Sequence, residues 1–314
     1  MIIYPFIIEA LQVALLLMAA PAFAGWVKTV KCRMQGRTYA GILQPYRDIA
    51  KLFGKEVVLA ENASWIFRST PYITFGVMVM IGGIVPVFST ELPFGAIADV
   101  IALVMLFAII RFFTALAGMD IGTAFGGMGA SREMMISSLA EPAMLMAIFT
   151  VSLAAESTSL TQIVQVMGHG KFILRPSLAF ALLAFIMIHL TETGRIPVDN
   201  PATHLELTMV HEAMVLEYSG RYLALIEWAG MMKLLIFSLL GIAIFCPWGI
   251  PSSATPYEML FGFLLAAAKL AVLGVVLVLI ETSMAKMRLF RLSEFLGSAF
   301  MLATLGMLSF FILE

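Results

Sequence analysis

The chain has 314 residues, 61% of them hydrophobic and 12% charged, and its formal net charge is −1. A balance this close to neutral leaves nothing to neutralise a phosphate backbone in bulk, which excludes a nucleic-acid binder. The apolar residues gather in blocks of about twenty instead of recurring at soluble-helix spacing, the composition of a polytopic membrane protein.

A bilayer core of roughly 30 Å needs about 20 apolar residues in a helix, and eight stretches meet that length. They lie near 3–24, 70–89, 97–117, 134–155, 176–193, 225–246, 258–281 and 294–312. The predicted fold is all-α: a polytopic membrane helical bundle of about eight transmembrane helices, forming a single integral membrane domain over 1–314. The first block ends in Pro21 and "AFAG", superficially a cleavable signal peptide. It lacks a basic leading segment and Glu9 interrupts it, so it reads as a retained first span.

The first connection, about 25–69, is long and basic, with Lys28, Lys31, Arg33, Arg37, Arg47, Lys51, Lys55 and Arg68. Within it, "LQPYRDIAKLFGKE" (43–56) sets Leu43, Tyr46, Ile49 or Ala50, and Phe53 at helical spacing, with Arg47, Asp48, Lys51 and Lys55 on other faces. That is the pattern of an amphipathic interfacial helix, resting on lipid headgroups or covered by a protein. The third connection (118–133) carries Arg132, the fifth (194–224) Arg195 and Arg221, and the seventh (282–293) Lys286, Arg288 and Arg291. Among the even connections only the fourth is basic, through Lys171 and Arg175. The positive-inside rule therefore places the odd loops in the cytoplasm and both termini outside.

Charges inside spans are costly and normally face a bundle interior or water, where they find partners. Arg111, Asp120, Glu141, Glu192, Lys233, Lys269 and Glu281 all fall inside or at the edge of predicted spans. A series of them at mid-membrane depth is what a proton path requires. Glu141, about two turns into span 4, and Glu192, at the end of span 5, are its leading candidates, and Glu9 is a further one. Lys233 and Lys269 read either as structural counter-ions or as members of the path. Glu281 and Lys286, near a span end, are expected to snorkel. His189 shares a helix face with Glu192 and reads as a relay group or as a packed, hydrogen-bonded imidazole.

The fifth connection holds "TETGRIPVDNPATHLELTMVHEAMVLEYSG" (191–220), dense in carboxylates. Its Asp199, His204, Glu206, His211 and Glu212 do not form a metal-binding spacing. Cys32 and Cys246 lack a CxxC or Cys/His companion, so neither an iron–sulfur cluster nor a structural zinc is expected in this chain.

"RIPVDNPATHLEL...LEYSG" resembles the "R-x-P-F-D-x-P-E-x-E-x-E-L...EYS" segment of the proximal membrane subunit of respiratory complex I. "AGILQPYRDIAKLFGKE" (40–56) resembles that family's first loop, and "GASREMMISSLAEPAM" (129–144) its entry into span 4. With "RFFTALAGMDIGTAFGGMGASRE" (111–133), the details are similar to the homologous subunit of membrane-bound group 4 NiFe hydrogenases, such as formate hydrogenlyase and hydrogenase-4 type complexes. The chain departs from the quinone-using pattern: two loop acids fall on Ala202 and His204, Glu206 is kept, and the stretch to "EYSG" is about three residues longer.

The resemblance implies a proton path of Glu141, Glu192, Asp199, Glu206 and Glu217. It also implies a redox-arm docking surface of Arg132 and Arg195, to which Arg47, Asp48 and Lys51 of the first-loop helix are added. It implies no catalytic residue and no cofactor here, with iron–sulfur clusters and a Ni–Fe site in partner subunits. Those partners would be hydrogenase large and small subunits, an iron–sulfur subunit and antiporter-like membrane subunits, in the cytoplasmic membrane. The alternative within the family is a quinone-binding subunit of a complex I-like enzyme. A secondary transporter acting alone is disfavoured by the lack of a paired half-chain repeat. A purely structural anchor is the remaining class.

Overall fold

Each predicted apolar block becomes a long helix, because lipid offers no partner for a backbone N–H or C=O and a helix pairs them internally. The computed structural model describes residues 3–38, 41–86, 93–96, 99–169, 175–199, 209–250 and 256–313. In chain order the long helices are α1 (Ile3–Met34), α3 (Trp65–Ile84), α4 (Val100–Asp120), α5 (Ala124–Ala154), α7 (Pro176–Glu192), α9 (Gly220–Phe245), α10 (Pro256–Ser283) and α11 (Leu289–Leu313). Shorter ones are α2 (Gln44–Phe53), α6 (Leu160–His169) and α8 (His211–Val215). Among the described residues, six helices are long and apolar enough to cross a membrane, and α7 is a shorter apolar helix. The 20-residue α3 opens with polar groups and Pro71.

Helix starts follow side-chain chemistry. Ser64, Asp99 and Thr123 accept from the backbone N–H of Ile66, Ile101 and Gly126, capping α3, α4 and α5. Pro176 opens α7, where its missing N–H costs nothing. The helix ends lie farther out than hydropathy alone suggests. Lys28, Lys31 and Arg33 belong to the last turns of α1, and Arg132 lies inside α5.

The most buried spanning helix is α9, which packs against α1, α2, α3, α6, α7 and α10. Helices α3, α4, α5, α7 and α11 continue the bundle, with α11 in the groove of α5 and α7. Helix α10 touches mainly α1 and α9 and is largely exposed along its length. One aromatic column runs through the interior, with Phe107 and Phe185 on either side of Phe237.

The amphipathic α2 packs on α9 and α1, so its inner face meets protein. Pro45 and Ile49 are buried there, the Tyr46 hydroxyl donates to the Met18 carbonyl, and Phe53 meets Trp228 edge to face. Partial burial raises the Tyr46 phenol above its ordinary range. Leu43, expected on the apolar face, is exposed.

The "EYSG" stretch fastens the first loop to the start of α9. Tyr218 stacks on Phe67 at 3.9 Å between ring centroids and donates to the Phe67 carbonyl at 2.9 Å. Burial pushes its phenol above the usual range. Ser219 Oγ accepts from Val58 N–H and donates to the Val58 carbonyl, both at 2.8 Å. Gly220 has φ +53°, and a Cβ there would stand 2.8 Å from the Glu56 carbonyl oxygen, so this position demands glycine on two counts.

Candidate functional site

Four charged side chains meet in the bundle interior, one from each of four helices. Arg111 of α4 donates from Nε to Glu192 Oε2 at 3.1 Å and from Nη2 to Glu192 Oε1, a fork closed on both carboxylate oxygens. Lys233 of α9 stands 2.9 Å from Glu192 Oε2. The remaining arm of Arg111 reaches Glu141 of α5 at 3.4 Å. The Arg111 and Glu192 side chains are 4% and 1% exposed, whereas Glu141 is 35% exposed and opens to one side of the bundle.

Two cations and two carboxylates sum to zero, which is how ionised groups are tolerated at this depth. Glu141 lies near the middle of α5, because that helix begins at Ala124 rather than ten residues later. Pro142 follows it inside the helix and has no N–H to give the carbonyl of Ser138, so a backbone acceptor is freed one turn before the acid.

Glu192 is held by the way α7 ends. Gly194 takes φ +58°, Gly194 N–H donates to the Thr191 carbonyl and Arg195 N–H to that of Leu190, a Schellman-type stop. The turn leaves Glu192 facing α4 and α9 and sends Arg195 outward to α10. There Arg195 pairs with Glu281, whose other oxygen meets Lys31 of α1 at 2.7 Å. Glu281 is 3% exposed, so the snorkelling expected of it does not occur: two cations from the ends of α1 and α7 compensate its burial. Lys286 does not snorkel either, but pairs with the buried Asp199 at 3.1 Å. Asp199 Oδ2 also accepts from Val210 N–H at 3.4 Å, bridging the ends of the fifth connection.

The other expected residues separate into held and free groups. Arg132 donates to the Met209 carbonyl at 2.8 Å, so it braces the chain just before α8. Arg47, Asp48 and Lys51 are exposed on α2, with Gln44 donating to Asp48 at 2.8 Å. Glu217 is exposed in the turn before α9. Glu206, with Ala202 and His204, lies outside the described residues.

Asp120 accepts from Ser64 N–H at 2.9 Å and so anchors the start of α3. Lys269 donates to the carbonyls of Cys246, at 2.6 Å, and Trp248, closing the end of α9. His189 is buried against Phe237, with ring centroids 5.8 Å apart, and its Nε2 has no hydrogen-bond partner among the described residues. Glu9 is buried in α1, where Gln12 donates to the carbonyls of Gly82 and Val85.

Two features escape a reading of the sequence. The pairing of Arg111 and Lys233 with Glu192 joins residues far apart in the chain, although mid-span charges of opposite sign signal that partners exist. Glu227, inside predicted span 6, is the second. It is exposed on α9, close enough to Glu212, His211, Lys28 and Asp48 to interact with their charges. No group of three or more His, Cys, Asp or Glu among the described residues is arranged to hold a metal ion.

Comparison with known proteins agrees with this architecture. The family described as NADH dehydrogenase matches residues 8–312. The chain is 35% identical over 288 residues to formate hydrogenlyase subunit 4 of Escherichia coli K12, covering 92% of each chain. It is 34% identical to hydrogenase-4 component C of the same organism, covering 92% of this chain and 89% of that one. A membrane subunit of the NADH-quinone oxidoreductase of Syntrophotalea carbinolica is more distant, at 29% identity over 246 residues, 67% of this chain and 73% of that one. Among solved structures, a chain of the membrane-bound sulfane sulfur reductase, an archaeal respiratory membrane complex, superposes with a TM-score of 0.81 at 18% identity, covering 97% of this chain and 98% of that one. With its bundle of apolar helices, the chain is a multi-pass membrane protein. It belongs to the NADH dehydrogenase family, where it is more similar to the formate hydrogenlyase and hydrogenase-4 proteins than to the NADH-quinone oxidoreductase one.

Proposed function

We propose that this chain is the membrane-anchoring, proton-coupling subunit of a multisubunit group 4 NiFe hydrogenase complex, seating a peripheral redox arm and linking it to an acidic path inside the bilayer. The observation that carries the reading is the buried quartet of Arg111, Glu141, Glu192 and Lys233, compensated in charge and open only at Glu141. A bare anchor needs no ionised group at that depth, and each one is disfavoured by about 2.5–3.5 kcal/mol near a helix centre. Similarity to formate hydrogenlyase subunit 4 and hydrogenase-4 component C supports the choice of complex.

In this reading the fifth connection and the exposed face of α2, with Arg47, Asp48 and Lys51, meet hydrogenase large and small subunits and an iron–sulfur subunit on the cytoplasmic side. Arg132 and Arg195 support that surface from beneath, by holding the chain at Met209 and Glu281. Asp199, Glu206 and Glu217 line the approach from the redox arm, Glu192 and Glu141 continue it inward, and an antiporter-like membrane subunit covers the open side of Glu141. The termini lie outside and the whole chain acts as one integral domain of the cytoplasmic membrane. The chain itself holds no cofactor; electrons move in its partners, and it responds by changed protonation as charge in the redox arm alters the loop acids.

The test is Glu141→Gln and Glu192→Gln in the tagged complex, extracted in mild detergent, assayed for hydrogen evolution from a low-potential donor, and reconstituted in vesicles. Both variants are expected to assemble and to move fewer protons per hydrogen formed. Wild-type proton movement in both would sink the path. Co-purification with a partner bearing paired CxxC motifs supports the hydrogenase assignment. A cysteine-poor homologous partner without hydrogen production would transfer the chain to the quinone-linked reading.

A further inference from the structure

Lys233 occupies an unusual position, at the centre of the bundle's most enclosed spanning helix and 2.9 Å from a carboxylate already gripped on both oxygens by an arginine. The charged groups facing it among the described residues are Glu192 from α7, Arg111 from α4, and Glu133 and Glu141 from α5. Arg111 does not give up its proton in a protein. Its bidentate grip holds Glu192 as the carboxylate, since protonating that oxygen would set a donor against a donor. Of the quartet, this leaves Lys233 and Glu141 able to exchange protons: a buried lysine readily becomes a neutral amine, and Glu141 reaches beyond the bundle.

We propose that Lys233 is the proton-carrying group of this cluster and that Glu192 is a fixed counter-ion holding it in place. The role rests on the proton path proposed above. In the step, an N–H bond of the Lys233 ammonium breaks and an O–H bond forms on the Glu141 carboxylate, with bound water between them. Lys233 becomes a neutral amine and Glu141 a neutral acid. The quartet has zero net charge before and after, because Arg111 and Glu192 stay ionised throughout. A proton on Glu192 instead would leave Arg111 and Lys233 both charged with only the distant Glu141 to balance them, so that alternative is the costly one. Glu141 then releases its proton on its open side, and Lys233 recovers one from the cytoplasmic approach. The two groups titrate as a coupled pair.

A structural counter-ion and a proton carrier respond differently to arginine. Lys233→Arg keeps a positive charge beside Glu192 but removes the proton that can leave, whereas Lys233→His shortens the side chain yet keeps a titratable one. Each variant complex would be reconstituted in vesicles, with hydrogen evolution and acidification followed together. Lys233→Arg is expected to assemble, to evolve hydrogen when uncoupled, and to lose proton movement at least tenfold. Lys233→His is expected to retain more of it than arginine, with an optimum at least one pH unit more acid than wild type.

Wild-type proton movement in Lys233→Arg, or arginine equal to or better than histidine, overturns the assignment. Should the arginine variant not assemble, the histidine profile decides: an acid-shifted optimum supports Lys233 as carrier, and an unshifted one overturns it. Glu141→Gln separates the two levels. Loss there with a normal Lys233→Arg leaves the subunit's proposed function standing and removes only the lysine's role. Wild-type behaviour in Glu141→Gln, Glu192→Gln and Lys233→Arg together removes both.

Discussion

Replacing Glu192 by Gln removes the only carboxylate that both buried cations share. Its side chain is 1% exposed and takes contacts from Arg111 on two atoms and from Lys233 at 2.9 Å. The amide offers one acceptor and turns donors toward a cation. Arg111 keeps a single 3.4 Å contact to Glu141, and Lys233 loses its direct partner. Breaking a buried pair in this way costs about 3–5 kcal/mol. With a generic unfolding entropy applied to a chain of this size, that is a fall of roughly 5–8 °C in melting temperature. Glu141→Gln removes one long contact from a side chain that is already 35% exposed. It should cost about 0–1 kcal/mol, below ~2 °C.

The assay is thermal loss of the monodisperse complex in mild detergent, read by size exclusion with a fluorescent tag on this subunit. Glu192→Gln should melt clearly below wild type and Glu141→Gln close to it. Equal shifts, or a larger one for Glu141→Gln, would refute burial as the determinant and place the stability of the site elsewhere.

Other consequences can be measured in the same preparation. Gly220→Ala forces a side chain into φ +53° and against the Glu56 carbonyl, costing about 1–2 kcal/mol, and should speed tryptic cleavage at Lys55; an unchanged rate would argue against the clamp. Tyr218→Phe should cost about 1 kcal/mol through the lost bond to the Phe67 carbonyl. Because the Tyr218 phenol is raised, its contribution is constant below about pH 10 and falls by up to about 1.4 kcal/mol per pH unit above it, a slope that the phenylalanine variant should lack. Glu281→Gln strips Lys31 and Arg195 of their shared partner, costing about 1.5–3 kcal/mol because both cations reach water. Hydrogen exchange should rise in 194–199; unaltered protection there would contradict the assigned role.

The architecture was legible because lipid sets one rule, some twenty apolar residues per crossing, and each predicted block became a helix. The helix ends were not, since hydropathy stops at the headgroups while backbone hydrogen bonding does not: Lys28, Lys31 and Arg33 are good helix formers and α1 runs through them. Depth in the membrane singled out Glu141 and Glu192, and the structure brings both to Arg111. Their pairing was hidden because Arg111 lies 30 residues from one and 81 from the other, separations over which helical periodicity carries no information. Glu281 misled for a related reason. A carboxylate near a span end reads as solvated until the cations from two other helices are placed around it.

The same separations impose a timetable on synthesis. Arg111 and Glu141 belong to consecutive helices, joined by a connection of three residues, so they can enter the bilayer as a hairpin that already carries no net charge. Glu192 emerges 81 residues after Arg111, about 4–16 s later at ordinary elongation rates. Lys233 follows on a helix made later still. The interim partner of Arg111 is therefore Glu141, and the final arrangement is an exchange: the arginine swings its fork to the later carboxylate, and the earlier one is left with a single loosened contact, facing outward.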